Sequence, residues 1–121
     1  EGGSGGALAI GVSDEVWMFE NSIYSILSPE GFASILYKDG SLAKKCAAIM
    51  KLTGDDLLHL NVIDKIIPEV KGGFHEDAKY SLEILRKALI NKIKELKTMD
   101  LGALLKKRYQ KYRLMGVYEK E

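Results

Sequence analysis

A mixed α/β fold, amounting to the second half of an α/β domain followed by a helical tail, is what this sequence predicts. Three observations lead there. The 121 residues are 46% hydrophobic, enough to close one modest core and too apolar for disorder over most of the length. Runs with strand character are few and short, while helix-start signals are many, so no self-sufficient sheet is expected from this stretch alone. From residue 77 onward the apolar residues recur every three or four positions, the spacing of a helix face.

The chain opens EGGSGGALAIG, with four glycines among its first six residues. Ser4 is read as a helix cap, and Ala7–Ile10 as a run of small and apolar residues inside that helix. No strand is expected ahead of the glycines, and no initiating methionine is present, so the chain reads as a piece of a longer one. Val16–Phe19 and Ile23–Leu27 read as short strands separated by Glu20-Asn21-Ser22. Ser28-Pro29-Glu30 is a strong helix start, with a cap, a proline at the first helical position and an acid in the first turn. That helix carries Phe32, Ile35 and Leu36 and is expected to end by Gly40.

Ser41 is expected to cap a second helix through Met50. Thr53-Gly54-Asp55-Asp56 resembles a capping box with Asp in place of Glu, opening a short helix to about Leu60. Val62–Ile67 reads as a buried strand stopped by Pro68, and Gly72-Gly73 as a loop. A long helix follows from about Asp77 to Lys97, with Leu82, Leu85, Leu89, Ile93 and Leu96 on its packing face. Leu89→Asp is therefore expected to undock it. Asp100 caps a last helix over Leu101–Leu114, where Leu101, Leu105, Tyr109 and Tyr112 share a face.

Charge and cysteine content narrow the function classes. A formal net charge of +1 supplies no field that draws the chain to nucleic acid or a membrane. Apolar runs such as Ala7–Ile10 are far too short to span a bilayer. The single cysteine, Cys46, excludes an internal disulfide and reads as a small buried apolar residue in a reducing, cytoplasmic interior. His59 reads as a helix-surface residue and His75 as a loop residue with a smaller claim to a site. Neither has metal-ligand spacing, so no metal is expected on this chain. Lys106–Arg113 has the look of a basic-aromatic nucleic-acid stripe, but its periodicity favours an amphipathic tail.

Three readings of the opening compete. It can be a flexible linker. Gly2-Gly3-Ser4-Gly5-Gly6 also satisfies the serine-nucleophile pattern G-x-S-x-G, with Asp64 and His75 following in order, although the strand that such a turn requires is not expected. The third reading uses helix electrostatics. Glycines at a helix start let backbone N–H groups approach a ligand oxygen without obstruction, and the helix dipole favours an anion there. Two such N–H groups make an oxyanion hole. This reading explains the missing side chains, which the serine reading does not.

Four stretches then become specific together: EGGSGGALAIG at the start, ENSIYSILSPEGFASILYKD from Glu20, VIDKIIPEVKGGFH from Val62, and KKRYQKYRLMG from Lys106. In order and spacing they resemble the carboxyltransferase alpha subunit of bacterial acetyl-coenzyme A carboxylase over nearly the whole chain. The resemblance implies a crotonase-like fold of repeated ββα units, of which this is the C-terminal part, with residues 1–76 in the carboxyltransferase domain and 77–121 as a helical tail. It implies an α2β2 assembly with a zinc-ribbon beta subunit, and transfer of a carboxyl group from carboxybiotin on a separate biotin carboxyl carrier protein to acetyl-coenzyme A. The product, malonyl-coenzyme A, begins fatty acid synthesis.

In that family the oxyanion-hole glycines fall on Gly5 and Gly6, whose N–H groups would hold the ureido oxygen of biotin. Ser28, Pro29, Glu30 and Gly31 match a segment near the substrate. Phe32, Tyr37 and Phe74 depart from the family pattern, standing for a small residue, a tryptophan and an alanine. Two other expectations stay open: a different crotonase-type acyl-coenzyme A enzyme, and a non-catalytic fragment whose helices serve assembly.

Overall fold

A computed structural model describes residues 2–116; Glu1 and residues 117–121, at the outer ends of the two expected regions, lie outside them. The architecture is mixed α/β. Among the described residues, two short parallel ladders and six α-helices make up the regular structure, with one 3-10 turn. Strand β1 (Gly2–Gly3) lies beside β3 (Tyr24–Ser25), and β2 (Trp17–Phe19) beside β4 (Lys65–Ile67). Trp17 faces Lys65 and Phe19 faces Ile67 in register. An antiparallel bridge between Ile23 and Thr53 links the region of β3 to the start of the helix α4 (Gly54–His59).

The first correction is at the opening. Gly2 and Gly3 are themselves a strand, paired with Tyr24 and Ser25, so a strand does precede the helix. The chain is still extended at Gly3, which occupies the N-cap, and turns into helix α1 (Ser4–Gly11) at Ser4 with φ +52°. Ser4 is thus the first helical residue rather than the cap. Its left-handed backbone is uncommon outside glycine and costs on the order of 1 kcal/mol.

Helix α2 (Pro29–Tyr37) begins as its sequence dictates: the Ser28 hydroxyl accepts from Gly31 N at 3.1 Å, with Pro29 in the first turn. It stops at Tyr37 because Lys38 takes a left-handed φ of +57°. Asp39, not Ser41, is the next cap, accepting from Ser41 N at 2.9 Å and opening a 3-10 turn over Gly40–Leu42. Helix α3 (Ala43–Met50) continues from that turn and buries Cys46 completely. Helix α4 (Gly54–His59) carries the expected box, in which Thr53 Oγ1 accepts from Asp56 N and donates to Asp56 Oδ2 at 2.9 Å.

The core gathers Val16, Met18, Leu57 and Ile63, with Tyr24, Val62 and Ile66 packed against it. Strand β4 is shorter than its hydrophobic run suggests. Val62 N and Ile63 N both bond to Leu57 O and close the end of α4, so the run spends its first residues on a turn.

Asp77 and Asp100 cap the two tail helices, α5 (Ala78–Thr98) and α6 (Leu101–Arg113), accepting from Tyr80 N and Ala103 N at 2.9 Å. Their packing faces overlap the ones the apolar periodicity selects but are rotated from them. In α5 the residues turned inward are Ser81, Leu85, Ala88, Lys92 and Leu96, while Leu82, Leu89 and Ile93 point outward. Leu89 is 42% exposed, so Leu89→Asp does not strike the docked face. In α6 the inward residues are Leu104, Arg108 and Lys111, with Met115 just past its end, and Leu101, Leu105 and Tyr109 are exposed. The reason is electrostatic. Lys92 pairs with Glu15 at 2.8 Å, Arg108 with Asp14 at 2.8 Å, and Lys111 with Asp64 at 3.1 Å, so cations orient both helices toward carboxylates of the α/β part.

Candidate functional site

The site grows from the start of α1. Helix geometry leaves the N–H groups of Ser4, Gly5 and Gly6 without an intrahelical acceptor, and among the described residues no side chain caps the turn. Two adjacent N–H donors at the positive end of a helix dipole can hold an oxygen that gains negative charge.

Nothing among the described residues requires glycine at these two positions. Neither Gly5 nor Gly6 has positive φ, and a Cβ built on either meets no described atom within 4 Å. Gly2 and Gly11 differ: a Cβ on Gly2 would stand 2.9 Å from the Tyr24 ring, and one on Gly11 3.0 Å from the Tyr24 hydroxyl. Those two glycines make room for Tyr24, whose hydroxyl donates to the Ala7 carbonyl and fixes the middle of α1. Burial, and to a smaller degree the Tyr112 hydroxyl nearby, hold the Tyr24 phenol above its ordinary pKa, so it stays a donor at neutral pH.

Beneath the turn lies an apolar cavity of about 580 Å³, bounded by Ser4, Gly5, Ala7 and Leu8 on one side and by Ile26, Leu27, Phe32 and Leu57 among others. Phe32 therefore reaches this cavity. A second cavity of about 240 Å³ brings Ser28 and Pro29 against Gly2, Gly3 and Ser4. Glu30 and Gly31 do not border either cavity; Gly31 N is used by the Ser28 cap. Of the residues singled out in the sequence, the fold thus brings Gly5, Ser28 and Pro29 to one region, with Gly6 on the adjoining turn.

The serine-nucleophile reading gains the strand it lacked but loses its partners. Asp64 Oδ2 accepts from Val16 N at 2.7 Å and from Lys111 Nζ at 3.1 Å. The His75 side chain is 79% exposed and pairs with Glu76 at 3.3 Å. No hydrogen bond joins Ser4, Asp64 and His75 among the described residues. Phe74 packs edge-on against Phe19 with ring centroids 5.2 Å apart, and His59 lies exposed at the end of α4. No group of three or more metal-ligating side chains is gathered among the described residues. Sequence reasoning missed the role of Tyr24; the signal was the pair of small residues, Gly2 and Gly11, that admits its ring.

A helix start open at Gly5 and Gly6, beside an apolar cavity in a mixed α/β chain, is what the fold brings together here. Residues 1–116 match the family model described as acetyl co-enzyme A carboxylase carboxyltransferase-like, and the chain belongs to that family. It is 53% identical over 113 residues to the acetyl-coenzyme A carboxylase carboxyl transferase subunit alpha of Clostridium perfringens (strain SM101), covering 93% of this chain and 42% of that protein. The subunit of the same name from Clostridium acetobutylicum is 52% identical over 118 residues, covering 98% and 43%. That of Listeria monocytogenes is 49% identical over 119 residues, covering 98% and 37%. The chain thus spans about two fifths of the length of the curated relatives it matches.

Proposed function

We propose that this chain forms part of the alpha subunit of an acetyl-coenzyme A carboxylase carboxyltransferase, a cytoplasmic enzyme that makes malonyl-coenzyme A for fatty acid synthesis. The observation that carries the reading is the pair Gly5 and Gly6. A glycine inside a helix costs about 1 kcal/mol relative to alanine, and neither backbone conformation nor crowding demands one here. The open space is kept for something outside the chain.

Carboxybiotin, presented by a separate carrier protein, would supply an activated carboxyl group and leave negative charge on its ureido oxygen as the C–N bond breaks. Gly5 and Gly6 donate their N–H groups to that oxygen, and the α1 dipole adds to their field. Preorganised donors of this kind each contribute about 3–4 kcal/mol to transition-state stabilisation. Ser28 and Pro29 border the neighbouring cavity and position substrate there; Glu30 and Gly31 support the turn that holds them. The parallel pairing of β1 with β3 and of β2 with β4 supports a crotonase-like ββα superhelix over residues 1–76, with 77–121 as its tail. A beta subunit in an α2β2 assembly would complete the site and bind the acetyl-coenzyme A enolate.

The test is carboxyl transfer between malonyl-coenzyme A and free biotin by the full-length subunit with its beta partner. Replacing Gly5 and Gly6 by proline deletes both donors and is expected to abolish transfer. Gly6→Ala keeps the donor, adds a methyl in the open space and favours the helix, so it should lower transfer without lowering the melting temperature. Unchanged transfer in both variants refutes the reading. Turnover of acyl-coenzyme A without biotin would instead assign a different crotonase-type enzyme.

A further inference from the structure

Helix α1 is weakly held by its own sequence. It is eight residues long and includes Gly5, Gly6 and Gly11, so its backbone has little intrinsic preference for helix. Ala7 is its one buried residue, while Leu8, Ile10 and the following Val12 are exposed. What fixes its direction must come from elsewhere. The β1 ladder holds the entry, and Tyr24 holds the middle.

The exit is held by α6. Lys111 Nζ donates to Ser13 O at 3.2 Å, to Asp14 O at 2.9 Å and to Asp64 Oδ2 at 3.1 Å, so all three ammonium protons have an acceptor. The Tyr112 hydroxyl accepts from Ser13 N at 3.0 Å and stands within hydrogen-bond reach of the Gly11 and Ser13 carbonyls. Arg108 Nε and Nη2 both reach Asp14 Oδ1 at 2.8 Å. The Tyr112 hydroxyl thus reaches the last carbonyl of α1, that of Gly11, and the Lys111 ammonium holds the carbonyls of Ser13 and Asp14 just beyond it, near the helix end where the dipole favours positive charge.

From these contacts we propose that Lys111 and Tyr112 are positioning residues for carboxyl transfer: they pin the C-terminal end of α1 and thereby set where the Gly5 and Gly6 N–H groups point. The inference rests on the function proposed above. Gly6 and Gly11 are five residues apart, about 7.5 Å along a helix, so a tilt at the pinned end moves the donors by a fraction of an ångström. A misplacement of 1 Å in a reacting geometry costs roughly a hundredfold in rate, and the smaller shift expected here about tenfold. Substrate affinity has no such dependence on donor direction, because the donors act on charge that develops during the reaction.

The experiment uses the full-length subunit with its beta partner and reads kcat and KM for malonyl-coenzyme A in carboxyl transfer to biotin. Tyr112→Phe, which keeps the ring, and Lys111→Met should each lower kcat about tenfold with KM changed less than about twofold. Lys111→Arg, which can still donate to the carbonyls and Asp64, should recover most of that loss. A role confined to stability predicts something else: activity that falls only with the folded fraction, with no kcat-specific loss and no rescue by arginine, and that result overturns the proposal. The glycine-to-proline variant is measured alongside. If it loses transfer while Tyr112→Phe and Lys111→Met keep full kcat, the positioning role alone is wrong. If it retains transfer, the oxyanion reading fails and the positioning role falls with it.

Discussion

Replacing Glu15 by glutamine tests how the long tail helix is attached. Glu15 accepts from Lys92 Nζ at 2.8 Å and from Trp17 Nε1 at 2.7 Å, and the two charged side chains are only 17% and 24% exposed. Lys92 keeps a second partner, Glu95, at 2.7 Å, so the variant weakens one charged hydrogen bond without stranding the ammonium. A hydrogen bond to a charged group contributes about 1.5–3 kcal/mol. With the amide oxygen still able to accept, a loss of about 1.4 kcal/mol is expected, a tenfold change in a local opening equilibrium.

Hydrogen exchange in the full-length protein reads that opening directly: protection across residues 15–19 and 85–96 should fall about tenfold at pH 7. The pH dependence has a definite sign. Burial by itself would raise the Glu15 pKa, but the hydrogen bonds from Lys92 and Trp17 and the surrounding positive charge outweigh it and hold the carboxyl below its ordinary 4.5. The stabilisation is therefore complete above that value and is lost as the pH falls through the lower folded-state pKa. Wild type and variant should converge in acid. Equal protection at pH 7, or a difference that widens below pH 4.5, would refute the reasoning.

Two further outcomes concern single positions. Lys38 ends α2 at φ +57°, a conformation that glycine adopts without strain, so Lys38→Gly should raise stability by about 1 kcal/mol, measured as a higher urea midpoint. Ser81 is fully buried in α5 with no hydrogen-bond partner for Oγ among the described residues. Removing the hydroxyl as Ser81→Ala should leave the melting temperature unchanged or raise it, since an unsatisfied buried hydroxyl costs about 1–3 kcal/mol; a clear drop would show that the oxygen has a partner.

Much of the local structure was legible because its causes are local. Ser28-Pro29-Glu30, Thr53–Asp56 and Asp100 announce helix starts through side chains that satisfy N–H groups a few residues away, and all three work as expected; Asp77, read only as the approximate start of the long helix, caps it in the same way. The errors lie where distant parts of the chain decide. Gly2-Gly3 has no strand propensity of its own and is a strand because Tyr24-Ser25 lies beside it. The tail helices are rotated from the face that the apolar pattern selects: Leu85 and Leu96 do turn inward, but Glu15, Asp14 and Asp64, far away in sequence, draw Lys92, Arg108 and Lys111 inward beside them. Of the candidate site, the glycine pair was readable from the absence of side chains at a helix start. The share of Ser28 and Pro29 in a common cavity was not, because it depends on how α2 sits against β1.

The hold of α6 on the end of α1 also has a consequence for synthesis. Lys111 and Ser13 are 98 residues apart, and a ribosome adding about 5–20 residues per second takes roughly 5–20 s to cover such a distance. Throughout that interval the exit of α1 is untethered, while α2, α3 and α4 can already settle through contacts close in sequence. The attachment of α1 to α6 therefore comes after the helices between them can already have formed. Nascent chains that stop short of residue 111 would carry the glycine turn without the hydrogen bonds that Lys111 and Tyr112 make at and just beyond the end of α1.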